Sequence, residues 1–289
     1  MFKNLNPSAV GISARQSELI ELALTTGFRG LDLEVDDFLR RAKNQGLAQT
    51  IQFIASARIS IGGFELPVEW RGDEETYKAQ LAEFEGALGF AKDAKVHACL
   101  THVLPESDYL PYHENFELHR TRLAEISEVL GKHNIRLAVG YYAAQSRRGR
   151  EQFQFIHEAD ALSLLLKSVP GDNVGLLLDT WDWYVGGGTV DSLNGLGVND
   201  VAYVRIADAP ADADRESLSE EQRQLHNEEG TTSIDEIARA LKEGGYKGPV
   251  TVAAHRSCFD GMNGEAIARK CNEVLTAIWK VAEEGPIAS

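Results

Sequence analysis

Val174-Gly-Leu-Leu-Leu-Asp179-Thr-Trp-Asp182-Trp-Tyr184-Val-Gly-Gly187 runs from a short apolar β-type stretch into a cluster of acids and aromatics. The apolar run stops at Asp179. An aspartate leaving a strand commonly caps the helical turn behind it, and at the end of a barrel strand it can equally carry chemistry. Seven more runs of this kind lie around it, at 9–13, 30–35, 51–55, 96–103, 135–140, 201–206 and 249–254. Longer amphipathic segments separate them, at 16–26, 74–92, 115–133, 156–168, 234–244 and 265–284. Strand-length runs alternating with helical patterns predict β/α units, and eight of them in 289 residues is the size of a closed parallel barrel. The expected fold is α/β, one (β/α)8 barrel over residues 1–289.

The alternative, a doubly wound open sheet, usually carries a glycine-rich turn after its first strand. Gly11-Ile-Ser-Ala-Arg-Gln16 supplies none. Gly186-Gly-Gly188 is not followed by the Gly-Lys-Ser/Thr of a phosphate loop and reads as a flexible mouth loop. The one long polar stretch, 210–232, fits a single β/α loop over the mouth, and its acid-rich part, 212–229, reads as solvated.

Composition narrows the partners. A formal charge of −15 repels a phosphate backbone, and the densest basic cluster, Arg147, Arg148 and Arg150, is followed at once by Glu151. Nucleic acid is not an expected partner. No run approaches the roughly 20 apolar residues of a membrane span, and the first ten residues lack the apolar core of a signal peptide. No membrane contact is therefore expected, and the protein is read as cytoplasmic. Cys99, Cys258 and Cys271 have no paired metal spacing and are odd in number, so they read as reduced thiols. Self-association into a homo-oligomer stays open.

Barrel chemistry sits at the C-terminal ends of strands. That rule selects His102, Gly140, Tyr141, Asp179, Arg205, Asp208 and Ala253, with His255 just beyond. His102 and His255 read either as satisfied histidines or as acid–base groups titrating near neutrality. Trp181, Trp183 and Tyr184, with Tyr141, read either as core aromatics or as faces for a sugar ring.

Residues 176–187 are similar to the sixth-strand motif of the xylose-isomerase-like TIM barrels, the sugar phosphate isomerase and epimerase superfamily, where the pattern runs Leu-Asp-Thr-Trp-His-Trp. Pro105-Glu-Ser-Asp, Pro111-Tyr-His-Glu-Asn-Phe, Arg136-Leu-Ala-Val, Asp200-Val-Ala-Tyr-Val-Arg-Ile-Ala-Asp-Ala-Pro210 and Gly244-Gly-Tyr-Lys-Gly-Pro-Val-Thr-Val252 resemble family segments in the same order. The resemblance implies a divalent metal held by Glu, Asp, His and Glu at the ends of strands five to eight. Here those positions read Gly140, Asp179, Arg205 and Ala253, and the family histidine after the sixth strand is Asp182. Asp208 and Arg223 have family counterparts near the mouth.

One carboxylate cannot hold such an ion, so no cofactor is expected. Manganese, magnesium or zinc would need a displaced set such as Asp179, Asp182, His102 and His255. Arg205 is the natural tethered substitute for the cation, expected within about 4 Å of Asp179. Three readings follow: a metal-dependent isomerase or epimerase with displaced ligands; a metal-free sugar enzyme using Arg205 with Asp182 or a histidine; and a non-catalytic binder of a sugar or a protein. A small polyhydroxylated ligand is the common expectation. The endonuclease branch of the superfamily fits less well, since it needs more histidine and acidic ligands and a surface compatible with DNA.

Overall fold

In the computed structural model, residues 1–90, 95–211, 213–227 and 230–284 are described. The apolar run at 174–179 is a strand with bounds Val174–Asp179, the sixth of eight that close into a parallel barrel. The strands are β1 Phe2–Leu5, β2 Gly30–Leu31, β3 Ser60–Glu65, β4 Val96–Val103, β5 Arg136–Tyr141, β6 Val174–Asp179, β7 Val201–Ile206 and β8 Pro249–Val252. Closure comes from β1, which pairs with β8 on one side and β2 on the other. The β/α count is thus as read.

Two of the strand positions are not. Residues 8–10 form a turn of 3-10 helix closed by Gly11 at φ 72°, and β1 lies ahead of it. Residues 51–55 belong to a helix, Leu47–Ser56, in which Thr50 and Ile54, four residues apart, are buried. A five-residue apolar run has no period of its own, so its flanks decide between helix and strand. The true third strand hid because Gly62-Gly63 breaks its β pattern. The run at 30–35 is a strand only at Gly30–Leu31, and a helix starts at Val35. The helix read to Lys92 is defined over Glu74–Ala87, and Lys92 lies outside the described residues.

Outer helices pack their apolar stripes on the barrel and form the main core with the outward faces of the strands. The interior is filled by a small cluster of Ala98, Leu100, Ala138, Leu177, Ala202 and Tyr203. One polar group crosses it. Asn4 of β1 points inward and donates to the Tyr203 hydroxyl (2.9 Å) and to Asp32 (2.7 Å). Gly62 makes room for it, since a Cβ there would lie 2.2 Å from Asn4 Oδ1. Cys99 and Cys271 are buried, Cys258 is half-buried, and all three are free thiols. No helix among the described residues is long and apolar enough to cross a membrane.

Strand register sets the mouth. His102 stands opposite Gly140, and Asp179 opposite Arg205, at the C-terminal ends. Ala253 follows β8 at the same end, where its N–H donates to Ile206.

Candidate active site

A cavity of about 450 Å³ opens at this end, beside β1, β2 and β3. Its polar lining includes Asp32, Glu34, Glu65 and Arg205, and Phe64 and Leu66 contribute apolar surface. Arg205 reaches across the mouth from β7 and keeps only 14% of its side chain exposed. Its Nη2 donates to Glu65 (2.8 Å), and its Nη1 donates to His102 Nε2 (3.2 Å). Burial works against its charge, but Glu65, Tyr203, Asp179 and Asp32 outweigh that effect and raise its pKa. The guanidinium therefore stays charged.

His102 is neutral. Burial first, then Arg205 and three further arginines, hold its pKa well below the ordinary value. It therefore accepts from Arg205 and does not titrate near neutrality, which corrects the expectation of a near-neutral acid–base group. Its ring stacks on Tyr142, with centroids 4.9 Å apart and planes within 12°. Gly140 permits this, because a Cβ there would lie 2.9 Å from His102 Cδ2. The family's carboxylate position is filled by the histidine ring.

Asp179 does not pair with Arg205. Its Oδ1 caps the helix Thr180–Val185 by accepting from Trp181 N (3.1 Å) and Asp182 N (3.2 Å). Both its oxygens also accept from Arg223 Nη1, at 2.9 and 2.8 Å. Arg223 comes from the mouth loop and donates its Nη2 to Asp182 Oδ2, while Asp182 Oδ1 accepts from Ala143 N (2.9 Å). The expected Asp179–Arg205 ion pair is therefore absent, and Arg223 of the loop takes that place. A loop side chain descending on Asp179 leaves Arg205 free to extend towards β3 and β4. Burial, reinforced by Asp179 and opposed by Arg223, raises the Asp182 pKa to about 7.

Asp32 forms the polar floor of the cavity, at the C-terminal end of β2. It is 5% exposed. Its Oδ1 accepts from Asn4 Nδ2 (2.7 Å) and its Oδ2 from the Tyr203 hydroxyl (2.7 Å). Burial raises its pKa to about 6, although both of those bonds and the charge of Arg205 pull it down.

The aromatic residues divide. Trp181 is fully buried beneath Arg223, whose guanidinium lies 4.7 Å from the ring centre. Trp183 sits in the main core and donates Nε1 to the Thr189 carbonyl (3.0 Å). Tyr141 is a buried brace whose hydroxyl donates to the Asp182 carbonyl (2.8 Å). Tyr184 is half-buried under Arg215. Tyr142, one residue past the end of β5, is a further aromatic ring at the mouth, where Arg147 lies 4.2 Å over it.

His255 stands apart from His102. Its Nδ1 meets Ser257 Oγ (2.8 Å), and its backbone N–H donates to the Arg223 carbonyl (2.9 Å), so it braces the loop. Asp208 anchors the same loop: it accepts from Ala209 N (2.9 Å) and Thr232 Oγ1 (2.9 Å) and faces His226 Nδ1 (2.9 Å). Of the acid-rich stretch, residues 212, 228 and 229 lie outside the described residues. Asp32, Glu65, Tyr203 and Tyr142 were missed by the sequence reading. Asp32 falls inside the apolar run at 30–35, whereas the strand itself stops at Leu31, so the sequence pattern does not mark it as a strand end.

A closed parallel barrel with a polar cavity at its C-terminal mouth is the architecture of the (β/α)8 proteins. Residues 20–278 match the family described as xylose isomerase-like TIM barrel, and the chain belongs to that family. It is 22% identical over 206 residues to an inosose isomerase of Halalkalibacterium halodurans, a match covering 71% of this chain and 70% of the relative. A xylose isomerase domain protein of Alicyclobacillus acidocaldarius superposes with a TM-score of 0.86 at 22% identity, covering 98% of this chain and 99% of the other. The IOLI protein, solved with a bound zinc atom, gives a TM-score of 0.80 at 18% identity, covering 99% of this chain and 100% of the other. Structural likeness at such identity establishes the fold alone.

The residues at the family's ligand positions do not fit a divalent ion. Gly140 and Ala253 offer no donor atom, Arg205 brings a fixed positive charge, and Asp179 spends both oxygens on Arg223. No cluster of three or more His, Cys, Asp or Glu with metal-binding arrangement occurs among the described residues.

Proposed function

We propose that this protein is an isomerase or epimerase acting on a small, uncharged polyhydroxylated carbonyl compound, with Arg205 in place of the family's metal ion. The observation that carries this reading is the guanidinium itself: charged, largely buried, facing the cavity and fixed between Glu65 and His102. Moving a proton from the carbon beside a carbonyl leaves negative charge on the carbonyl oxygen. A preorganised cation at that oxygen stabilises the charge without rearranging during the reaction. Arg205 can supply it because its charge does not depend on pH.

The cavity's own charge supports a neutral substrate. Asp32, Glu34 and Glu65 line the cavity together with one arginine, so a phosphate or carboxylate on the ligand would meet like charge. Similarity to an inosose isomerase supports the same class, a cyclic or open-chain polyol ketone. Asp179, Asp182 and Arg223 serve this site by holding the mouth loop against β6. A rival reading, binding without turnover, draws on the Glu65 ion pair that already engages Arg205.

The test is turnover in chelator-containing buffer against an inosose, aldoses, ketoses and their phosphates, followed by NMR, with binding measured by calorimetry. Conversion of a neutral sugar that disappears in Arg205→Met supports the proposal. Binding without conversion supports the rival, and a preference for sugar phosphates contradicts the assigned charge.

A further inference from the structure

We infer that Asp32 is the group that takes the proton from the substrate carbon and returns it. This rests on the function proposed above and names its acid–base residue. Asp32 lines the same cavity as Arg205, reached from β2 on the opposite side of the barrel wall from β6. A carbonyl oxygen directed at Arg205 leaves its neighbouring carbon within the cavity that Asp32 floors.

The other carboxylates near the mouth are committed elsewhere. Glu65 is ion-paired to Arg205 and 61% exposed. Glu34 accepts from Ser8 Oγ (2.7 Å) at the rim. Asp179 and Asp182 are bound to Arg223, and Asp179 is also committed to a helix cap. Asp32 alone among these is held only by neutral donors, Asn4 and Tyr203.

Asn4 bonds both Tyr203 and Asp32, and Tyr203 bonds Asp32, so the three close a triangle that fixes the carboxylate's orientation. Gly30 and Gly62 carry no side chain, and a Cβ at either would lie within 2.6 Å of Asn4 Oδ1. Burying a carboxylate is costly, and a fold that clears space to orient one has a use for it. A carboxyl group titrating near 6 is mostly ionised at neutral pH and is a competent acid once protonated.

In the step, the C–H bond beside the carbonyl breaks and its proton forms an O–H bond on Asp32. The electron pair becomes the C=C bond of an enediolate whose oxygen faces Arg205. Asp32 then returns the proton to the adjacent carbon, and the hydroxyl hydrogen passes to the former carbonyl oxygen. The product is an isomer and no co-reactant is consumed. One carboxylate on one face suits a shift between neighbouring carbons, which favours isomerisation over epimerisation.

Deuterium incorporation from D2O into an inosose, D-fructose and D-tagatose, read by proton NMR, tests this. Asp32→Asn should lower exchange by roughly 100- to 10,000-fold, the usual contribution of a positioned acid–base group, while calorimetry still detects the sugar. Asp32→Glu should recover part of the rate. Tyr203→Phe should move the acid limb of the pH–rate profile upward, because the lost bond favoured the ionised carboxylate; Tyr203 and Arg205 from β7 and Glu65 from β3 are the charged or titratable groups that face it. Exchange by the wild type that persists at the same rate in Asp32→Asn overturns the assignment, and its loss in Arg205→Met alone then leaves the proposed function standing. No exchange by the wild type with any probe overturns both.

Discussion

Replacing Asp32 by asparagine should make the protein more stable while removing its activity. Burial lifts the Asp32 carboxyl from 3.8 to about 6 in the folded chain. At about 1.36 kcal/mol per pKa unit, that shift of about two units opposes folding by roughly 3 kcal/mol once both states are ionised. The sign follows from a raised carboxyl: between pH 4 and 6 the folded state binds the proton more tightly than the unfolded chain. Its stabilising contribution is therefore full below about pH 4 and lost as pH rises through 6. Asparagine removes the charge at nearly equal volume, but its amide cannot accept from both Asn4 and Tyr203, which costs about 1 kcal/mol. The variant should be about 2 kcal/mol more stable than wild type at pH 8 and about 1 kcal/mol less stable at pH 4. Urea denaturation of both proteins across this range reads the difference and cancels the carboxylates they share. If the two stability curves run parallel from pH 4 to pH 8, Asp32 is not a strained ionised carboxylate and the reasoning fails.

Arg223→Met leaves Asp179 and Asp182 buried without their cation and should cost about 3–5 kcal/mol at pH 8, less at pH 5 where the carboxylates can take up protons. Equal denaturation midpoints for wild type and variant would show that the cluster carries no weight. His226 presents both ring nitrogens to carboxylates, Asp208 (2.9 Å) and Asp235 (3.1 Å). Burial lowers its pKa, but those partners raise it more, so the loop's stability should be full below about pH 6.5 and fall as pH rises through the raised value. An NMR titration should place His226 above its ordinary range, and Asp208→Asn should lower it; titration at or below that range would contradict the bridge. Gly140→Ala forces a Cβ to 2.9 Å from His102 and should destabilise by about 1–3 kcal/mol while weakening the His102–Tyr142 stack. An unchanged melting midpoint would mean that His102 moves aside freely.

The fold was legible because β4 to β8 lie within apolar runs and the run at 30–35 contains β2, so six strands fall where the sequence pattern places them. The early barrel was obscure for a physical reason. β2 keeps only two residues of its run, β1 sets polar Lys3 and Asn4 between apolar Phe2 and Leu5, and β3 contains Gly62, which makes room for Asn4, and Gly63, which faces Tyr203 and Leu100, so β1 and β3 carry no clear apolar run. That obscurity propagated to the site, since Asp32 and Glu65 stand at the ends of β2 and β3. Arg205 was legible as the odd residue at a ligand position. The partner of Asp179 was not, because Arg223 reaches it through a loop whose path has no sequence period. The tryptophans after Asp179 left both readings open, since apolar bulk next to a mouth serves the core as readily as it serves a ligand.

We propose a tethered guanidinium that does the work of an ion in this barrel. Its most direct test is the rate of carbon-bound proton exchange on an inosose before and after exhaustive chelation, with metal content measured on the same sample. The account predicts an unchanged rate in metal-free protein and its loss in Arg205→Met. Exchange that chelation abolishes and manganese, magnesium or zinc restores would contradict it.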